Sequence, residues 1–278
     1  MTSVLRPSLD IALAEWADRV HGDKLQVDRL REVPDGPDFY GPIASMFKAD
    51  PQRANEPVLD ILRGMIRADE TWLDIGAGGG RYSLPIALRA QQVIAVEPSD
   101  GMLGILRGGM AEHGISNIEI HQSRWPVGLH LQADCSLISF VGNDIADIGP
   151  FVDAMERSTR RMCTFVNLDR PPASAFAKAF EHVHGEPRAL LPSLPEFLAL
   201  LLAKGRLFEV RLVPRPVMSF ENAEQVLTTT RRQTWVREGG EKDQRLQDFL
   251  RTNLEERDGR LAFSWEPSTI GVVTWSPR

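Results

Sequence analysis

The stretch WLDIGAGGGRYSLPIALRA, residues 72–90, followed by VIAVEPSDGML at 93–103, decides how this chain folds. Trp72 to Ile75 is an apolar run broken only by Asp74. Four glycines in five positions follow it: Gly76, Gly78, Gly79 and Gly80. A buried strand that gives way to glycines and then enters a helix makes a loop in which backbone can lie against a ligand. The second run is another apolar strand, ending on Glu97, 21 residues beyond Gly76. A carboxylate about 20 residues past a glycine turn stands at the tip of the neighbouring strand, within reach of ribose hydroxyls. Together the two stretches predict a nucleoside-containing cofactor laid across adjacent strand ends.

The loop itself discriminates among nucleosides. A dinucleotide fingerprint needs its third glycine where the helix packs on the strand, and here that position is Arg81. The pattern is instead D-x-G-x-G-x-G, formed by Asp74, Gly76, Gly78 and Gly80. A pyrophosphate is disfavoured beside a buried carboxylate, because like charges would share one low-dielectric site. A ligand carrying an amino group and a sulfonium is favoured there. In these residues, in the Glu97–Pro98 strand end and in the strand rhythm from about residue 70 to 170, the chain resembles the class I S-adenosylmethionine-dependent methyltransferases.

The resemblance implies an α/β fold: a Rossmann-like, mostly parallel seven-stranded sheet with helices on both faces and an antiparallel last strand. It also implies S-adenosylmethionine as cofactor and methyl transfer by in-line displacement, giving S-adenosylhomocysteine. Gly76, Ala77, Gly78 and Gly80 would lie against its methionine and ribose portion, with Asp74 acting at that end. Glu97 would take the ribose hydroxyls, and Pro98 and Met102 would pack on adenine. Many relatives end the third strand on Gly-Asp; here the sequence is IEIHQSRWP, so Gln122 and Ser123 occupy that neighbourhood. Ser123 offers a hydroxyl and Arg124 a backbone N–H. Trp125 either stacks on the purine or packs on the next helix. The fourth strand ends SFVGND (139–144), where Phe140 to Gly142 would line the cofactor. Asn143 and Asp144 either face the methyl acceptor or serve as turn residues. The (N/D)-P-P-(Y/F) signature of enzymes that methylate amino groups of nucleic-acid bases is absent, which argues against that acceptor.

Strands are expected at 71–75, 92–97, 117–121, 134–141, 161–168, 207–213 and 269–275, with the last two forming the antiparallel hairpin. Helices are expected near 80–90, 100–113, 150–160 and 194–204. Two more, at 221–236 and 241–256, form a helical insertion before the last strand. Residues 170–192, with prolines at 171, 172, 187 and 192, read as irregular. Ahead of the sheet, apolar positions at Leu13, Trp16, Val20, Val27 and Leu30 give an amphipathic helix over 8–31 with Ser8 as its cap. A second helix near 54–68 leads into the first strand. Residues 1–70 are read as a helical N-terminal cover, and 71–278 as the α/β domain with the insertion at 221–256. The two form one globular unit.

The chain has 278 residues, 42% hydrophobic and 25% charged, which is ordinary for a soluble globular protein. Its net charge of −6 lacks the electrostatic footprint of a nucleic-acid binder. A small-molecule acceptor is therefore expected, with no nucleic-acid or membrane partner. The two cysteines, Cys135 and Cys163, fall in apolar runs and read as reduced core residues. No stretch reaches the length of a membrane span, and a cytoplasmic protein is expected. His182 and His184, two positions apart with no third ligand in spacing, do not make a metal site, so no metal is expected. His184, and Tyr40 in the cover segment, are candidates to face the acceptor. Two alternative functions stand beside the methyltransferase. One is a non-catalytic cofactor-binding or scaffold protein, suggested by the altered third strand end. The other is an NAD(P)-dependent oxidoreductase, which Arg81 opposes.

Overall fold

Between residues 71 and 168, apolar runs alternate with amphipathic stretches, and the chain folds there as a parallel sheet with crossover connections. In the computed structural model, which describes residues 7–34, 38, 41–128, 130–263 and 268–277, five strands run parallel. They are β1 (Thr71–Ile75), β2 (Gln92–Val96), β3 (Ile118–His121), β4 (Ala133–Ser139) and β5 (Thr159–Leu168). Strand β6 (Phe208–Pro214) joins the same sheet. Strands β7 (Ser219–Phe220), β8 (Leu254–Arg257) and β9 (Arg260–Phe263) form a small antiparallel sheet of their own. Strand β10 (Thr269–Trp275) returns to the large sheet and inserts antiparallel between β5 and β6. The resulting order is β3-β2-β1-β4-β5-β10-β6, the expected seven-stranded, mostly parallel sheet with an antiparallel last strand.

The helices are α1 (Leu9–Leu30), α2 (Pro57–Arg63), α3 (Ser83–Ala87), α4 (Asp100–His113) and α5 (Ile148–Arg157). Then follow α6 (Ala177–His184), α7 (Leu194–Ala203), α8 (Ala223–Thr234) and α9 (Glu241–Asn253). Alternate residues of β1 and β2 serve opposite layers. Trp72, Val93 and Ala95 pack with Leu59, Leu62, Leu84 and Leu103, from α2, α3 and α4. Leu73, Ile75, Ile94 and Val96 pack with Trp16, Phe151 and Phe197, from α1, α5 and α7. Both faces being covered, these strands read as continuous apolar runs. Trp16 fastens α1 across the sheet's carboxyl edge: its indole N–H donates to the Ile145 carbonyl at 2.8 Å, and its ring meets Phe197 edge-on.

Three local expectations are corrected. The helix expected over 80–90 is only the short α3, with Leu88 as its C-cap, its N–H donating to the Leu84 carbonyl at 3.3 Å. The segment 170–192 is not irregular throughout. Pro172 sits at the start of a 3₁₀ turn, Pro172–Phe176, that leads directly into α6. Prolines open helices there because the first turn needs no amide donor. Finally, the helix expected over 241–256 stops at Asn253, and its last residues are strand β8. The overlooked signal is Asp258–Gly259, with φ of 51° and 72°. Positive φ at both central positions is the two-residue hairpin turn that Asp-Gly favours. This small sheet and helices α6, α8 and α9 share a satellite core around Phe176, Phe220, Leu246 and Phe263.

Candidate active site

The sheet reverses its order between β1 and β4, so the crevice for a ligand opens beyond the carboxyl ends of those strands. Residues 76–80 after β1 and 140–144 after β4 meet there. A Cβ on Gly76 would lie 2.6 Å from Val141 Cγ2, and Gly76 has φ of 75°. Glycine is thus required twice over, by contact and by backbone. Gly76→Ala is expected to cost about 2–4 kcal/mol of stability, combining left-handed strain with overpacking. Urea unfolding checks this. Gly78 differs: its φ is 54°, but nothing lies within 4 Å of the Cβ it lacks, so this side of the loop faces open space.

Backbone hydrogen bonds set the loop's shape. The N–H groups of Gly76 and Ala77 both donate to the Val96 carbonyl, at 2.8 and 3.1 Å, which holds the loop against the tip of β2. Glu97 follows immediately. Its Oε2 accepts from the Gly78 N–H at 2.9 Å and its Oε1 from the Ser99 N–H at 2.8 Å. One carboxylate therefore ties the glycine loop to the start of α4. Each oxygen has used one of two acceptor positions, leaving capacity for two more donors. Glu97 is 6% exposed; burial raises its pKa, the two N–H bonds oppose the rise, and nearby Asp38 adds to it.

Asp74 is 3% exposed, and Ser83 Oγ donates to its Oδ2 at 2.5 Å. Burial pushes its pKa up to about 7, the Ser83 hydroxyl opposes the shift, and the charge of Glu97 adds to it. Neither Asp74 nor Glu97 has a Lys or Arg partner among the described residues. Two buried carboxylates without a counter-cation form a pocket of negative potential that a cation would relieve. Arg81 does not supply one. Its guanidinium pairs with Glu56 at 2.9 Å, and Tyr82 donates to the same oxygen of Glu56 at 3.1 Å.

Asp38 belongs to this neighbourhood although nothing in the sequence marked it. Its carboxylate accepts from Ser99 Oγ at 2.9 Å, from the Gly41 N–H at 3.0 Å and from the Gly101 N–H at 3.3 Å. An acid at the N-terminus of α4 is favoured by the helix's positive end. It seats the 3₁₀ turn Gly41–Phe47 on α4, where a Cβ at Gly101 would lie 2.7 Å from Gly41 Cα. A Cβ on Gly79 would meet the Phe47 carbonyl at 3.3 Å, so the cover segment also touches the glycine loop. Met102 is buried in the first turn of α4, and Pro98 is exposed at its approach. Tyr40 lies outside the described residues.

Beyond β3, Ser123 Oγ donates to the Arg124 carbonyl at 3.1 Å; Ser123 is half-buried and Arg124 exposed. Trp125 packs against the core on the α5 side and donates its indole N–H to the Phe151 carbonyl at 3.1 Å. Of its two readings, packing on the next helix is the one observed. Phe140, at φ 56°, is a strained position at the tip of β4, held by its N–H bond to the Val166 carbonyl at 2.9 Å. The residue is 37% exposed, and Gly142 behind it adopts φ of 95°. Asn143 is committed to the fold: its amide donates to the Pro192 carbonyl at 2.5 Å and its oxygen accepts from Asn167 at 2.9 Å. Asp144 is exposed beside it. His184 donates from Nε2 to the Thr234 carbonyl at 2.7 Å and packs on Phe180, and burial lowers its pKa. It joins α6 to the end of α8 instead of standing with the glycine loop.

No family model matches the chain. Among solved structures, a protein of Bacillus halodurans assigned as a methyltransferase superposes with a TM-score of 0.57 at 16% identity, covering 80% of this chain and 100% of that one. The YcgJ protein of Bacillus subtilis superposes at 0.55 and 15% identity, covering 80% and 97%. Local sequence similarity extends to a 23S rRNA (uracil-C5) methyltransferase of Edwardsiella ictaluri, 37% identical over 59 residues, 21% of this chain. It extends also to a protein of Methanosphaera stadtmanae assigned as ribosomal RNA small subunit methyltransferase A, 42% identical over 55 residues, 20% of this chain. The matched stretches span 14% and 20% of those two proteins. The chain has the class I S-adenosylmethionine-dependent methyltransferase fold. Among the described residues, no helix is long and apolar enough to cross a membrane.

Proposed function

We propose that this chain is an S-adenosylmethionine-dependent methyltransferase acting on a small molecule. The observation that carries the reading is the pair of buried carboxylates, Asp74 and Glu97, flanking a glycine loop with no basic side chain between them among the described residues. Such a pocket suits a cationic nucleoside and repels a diphosphate. The residues present fit the cofactor. Glu97 has spare acceptor capacity for ribose hydroxyls, the N–H groups of the loop are already fixed, and Gly78 leaves open space where a side chain would intrude. Asp74 would neutralise positive charge at the loop's mouth, and Met102 offers an apolar wall for adenine. When bound, S-adenosylmethionine supplies a methyl group on an already activated sulfur, so the protein's task is placement and exclusion of water. The cover, residues 1–70, would shield the loop through the turn Gly41–Phe47, and the α/β body, 71–278, would carry the site. Phe140 and Gly142, at the tip of β4, would line the cofactor, and Asp144 beside them would face the acceptor.

The small-molecule assignment is supported by the net charge of −6 and by the acidic groups around the crevice, Asp38 and Asp144 among them, which disfavour a polyanionic acceptor. The test is mass-spectrometric detection of S-adenosylhomocysteine with panels of phenols, amines and carboxylic acids, run beside total RNA. Turnover is expected on a member of the small-molecule panels and not on RNA. Turnover confined to RNA would reverse the assignment of the acceptor. Cofactor binding without turnover on any acceptor would favour a non-catalytic binder.

A further inference from the structure

Strand β6 ends the large sheet, and among the described residues no strand pairs with its outer edge. Its register with β10 fixes which face each residue occupies. Phe208, Val210 and Leu212 stand opposite Trp275, Val273 and Gly271, on the side covered by α7. Glu209, Arg211 and Val213 stand opposite Thr274, Val272 and Ile270, on the other side. The row next to α7 is apolar yet open: Val210 is 36% exposed and Leu212 62%, with Leu207 just ahead of the strand at 91%. The opposite row presents an exposed acid and an exposed base two residues apart, Glu209 and Arg211. Natural edge strands are usually blunted by proline, lysine or a bulge. Here Pro214 stands only at the strand's end, and the middle carries one acid and one base, Glu209 and Arg211, whose opposite signs leave no net charge to repel a second copy.

We propose that β6 pairs antiparallel with β6 of a second copy of this chain, about a two-fold axis at Val210, joining the two large sheets edge to edge. The sequence is complementary to itself in that register. Glu209 then faces the partner's Arg211, and Arg211 faces the partner's Glu209, so two opposite-charge cross-strand pairs form on one face. On the other face, Phe208 meets the partner's Leu212, Val210 meets the partner's Val210, and Leu212 meets the partner's Phe208. Opposed charges and apolar pairs are what stabilise antiparallel neighbours, and like charges directly opposite destabilise them. The symmetry is that of an isologous dimer, in which one patch serves both subunits. The cofactor crevice lies at the middle of the sheet, between β1 and β4, with β5 and β10 separating it from β6, so this pairing stands apart from the proposed activity.

Sedimentation velocity over a concentration series tests the pairing on the full chain. The wild type is expected to dimerise at micromolar concentration. Glu209→Lys sets one lysine opposite each Arg211, two like-charge pairs across the interface, and is expected to weaken the dimer roughly tenfold. Adding Arg211→Glu restores opposite charges in the same register and is expected to restore dimerisation. Both side chains are exposed, so circular dichroism should be unchanged throughout. A monomeric wild type overturns the proposal. So does a dimer indifferent to Glu209→Lys, or one that the double exchange fails to recover.

Discussion

Glu97→Ala is expected to weaken S-adenosylmethionine binding by roughly 10- to 100-fold, with the fold intact by circular dichroism. The magnitude follows from what the carboxylate holds. Its two oxygens accept the N–H groups of Gly78 and Ser99, and they keep one acceptor position each for ribose hydroxyls. Removing them orphans two backbone donors, frees the glycine loop from the start of α4 and would delete the proposed ribose contacts together. Glu97→Gln separates these effects. Its carbonyl oxygen retains one loop bond, but its amide end must donate where Ser99 or Gly78 also donates, so an intermediate loss is expected. Isothermal titration calorimetry reads both variants. An affinity unchanged in Glu97→Ala would remove this residue from the site.

The second large effect is on pH dependence, through Asp74. Folded Asp74 keeps its proton up to about pH 7, whereas in the unfolded chain the group loses it near its ordinary value of 3.8. Between those values the folded state binds more protons than the unfolded state, so stability falls as pH rises. The contribution is fully present below the lower value and lost as pH climbs through the higher one. At about pH 8, with no cofactor bound, Asp74→Asn is therefore expected to stabilise the protein, by an amount bounded near 4 kcal/mol. Little change is expected at about pH 4, where the native carboxyl is already neutral. Urea unfolding at the two pH values checks the sign. Binding a cation runs the opposite way: it favours the carboxylate, so the affinity for S-adenosylmethionine should rise by up to tenfold per pH unit towards pH 7 and level off above it. Asp74→Asn should flatten that profile.

Much of this was legible in the sequence, for a reason visible in particular residues. Strands covered on both faces by helices must be apolar throughout, so Trp72–Ile75 and Val93–Val96 announce themselves. Glycines forced by contact, such as Gly76 against Val141, stand out as a cluster. The spacing from Gly76 to Glu97 then fixes which two strand tips are neighbours. What could not be read depends on partners distant in sequence. Asp38 looks like any loop aspartate until the cover segment folds back 61 residues onto Ser99. Asn143 and Trp125 carry side chains suited to ligands, but carbonyl groups at Pro192 and Phe151 claim them first. The small sheet of β7, β8 and β9 escaped because Leu254–Arg257 is too charged to look like a strand. Its Asp258–Gly259 turn was the legible signal.

In the reading proposed above, the glycine loop and its two carboxylates form a cation-seeking nucleoside site. Calorimetric titration with S-adenosylmethionine at about pH 6, in buffers of different ionisation enthalpy, tests it most directly. One molecule is expected to bind per chain, with a proton released on binding that is absent in Asp74→Asn. No binding, or tighter binding of NADH than of S-adenosylmethionine, would contradict it.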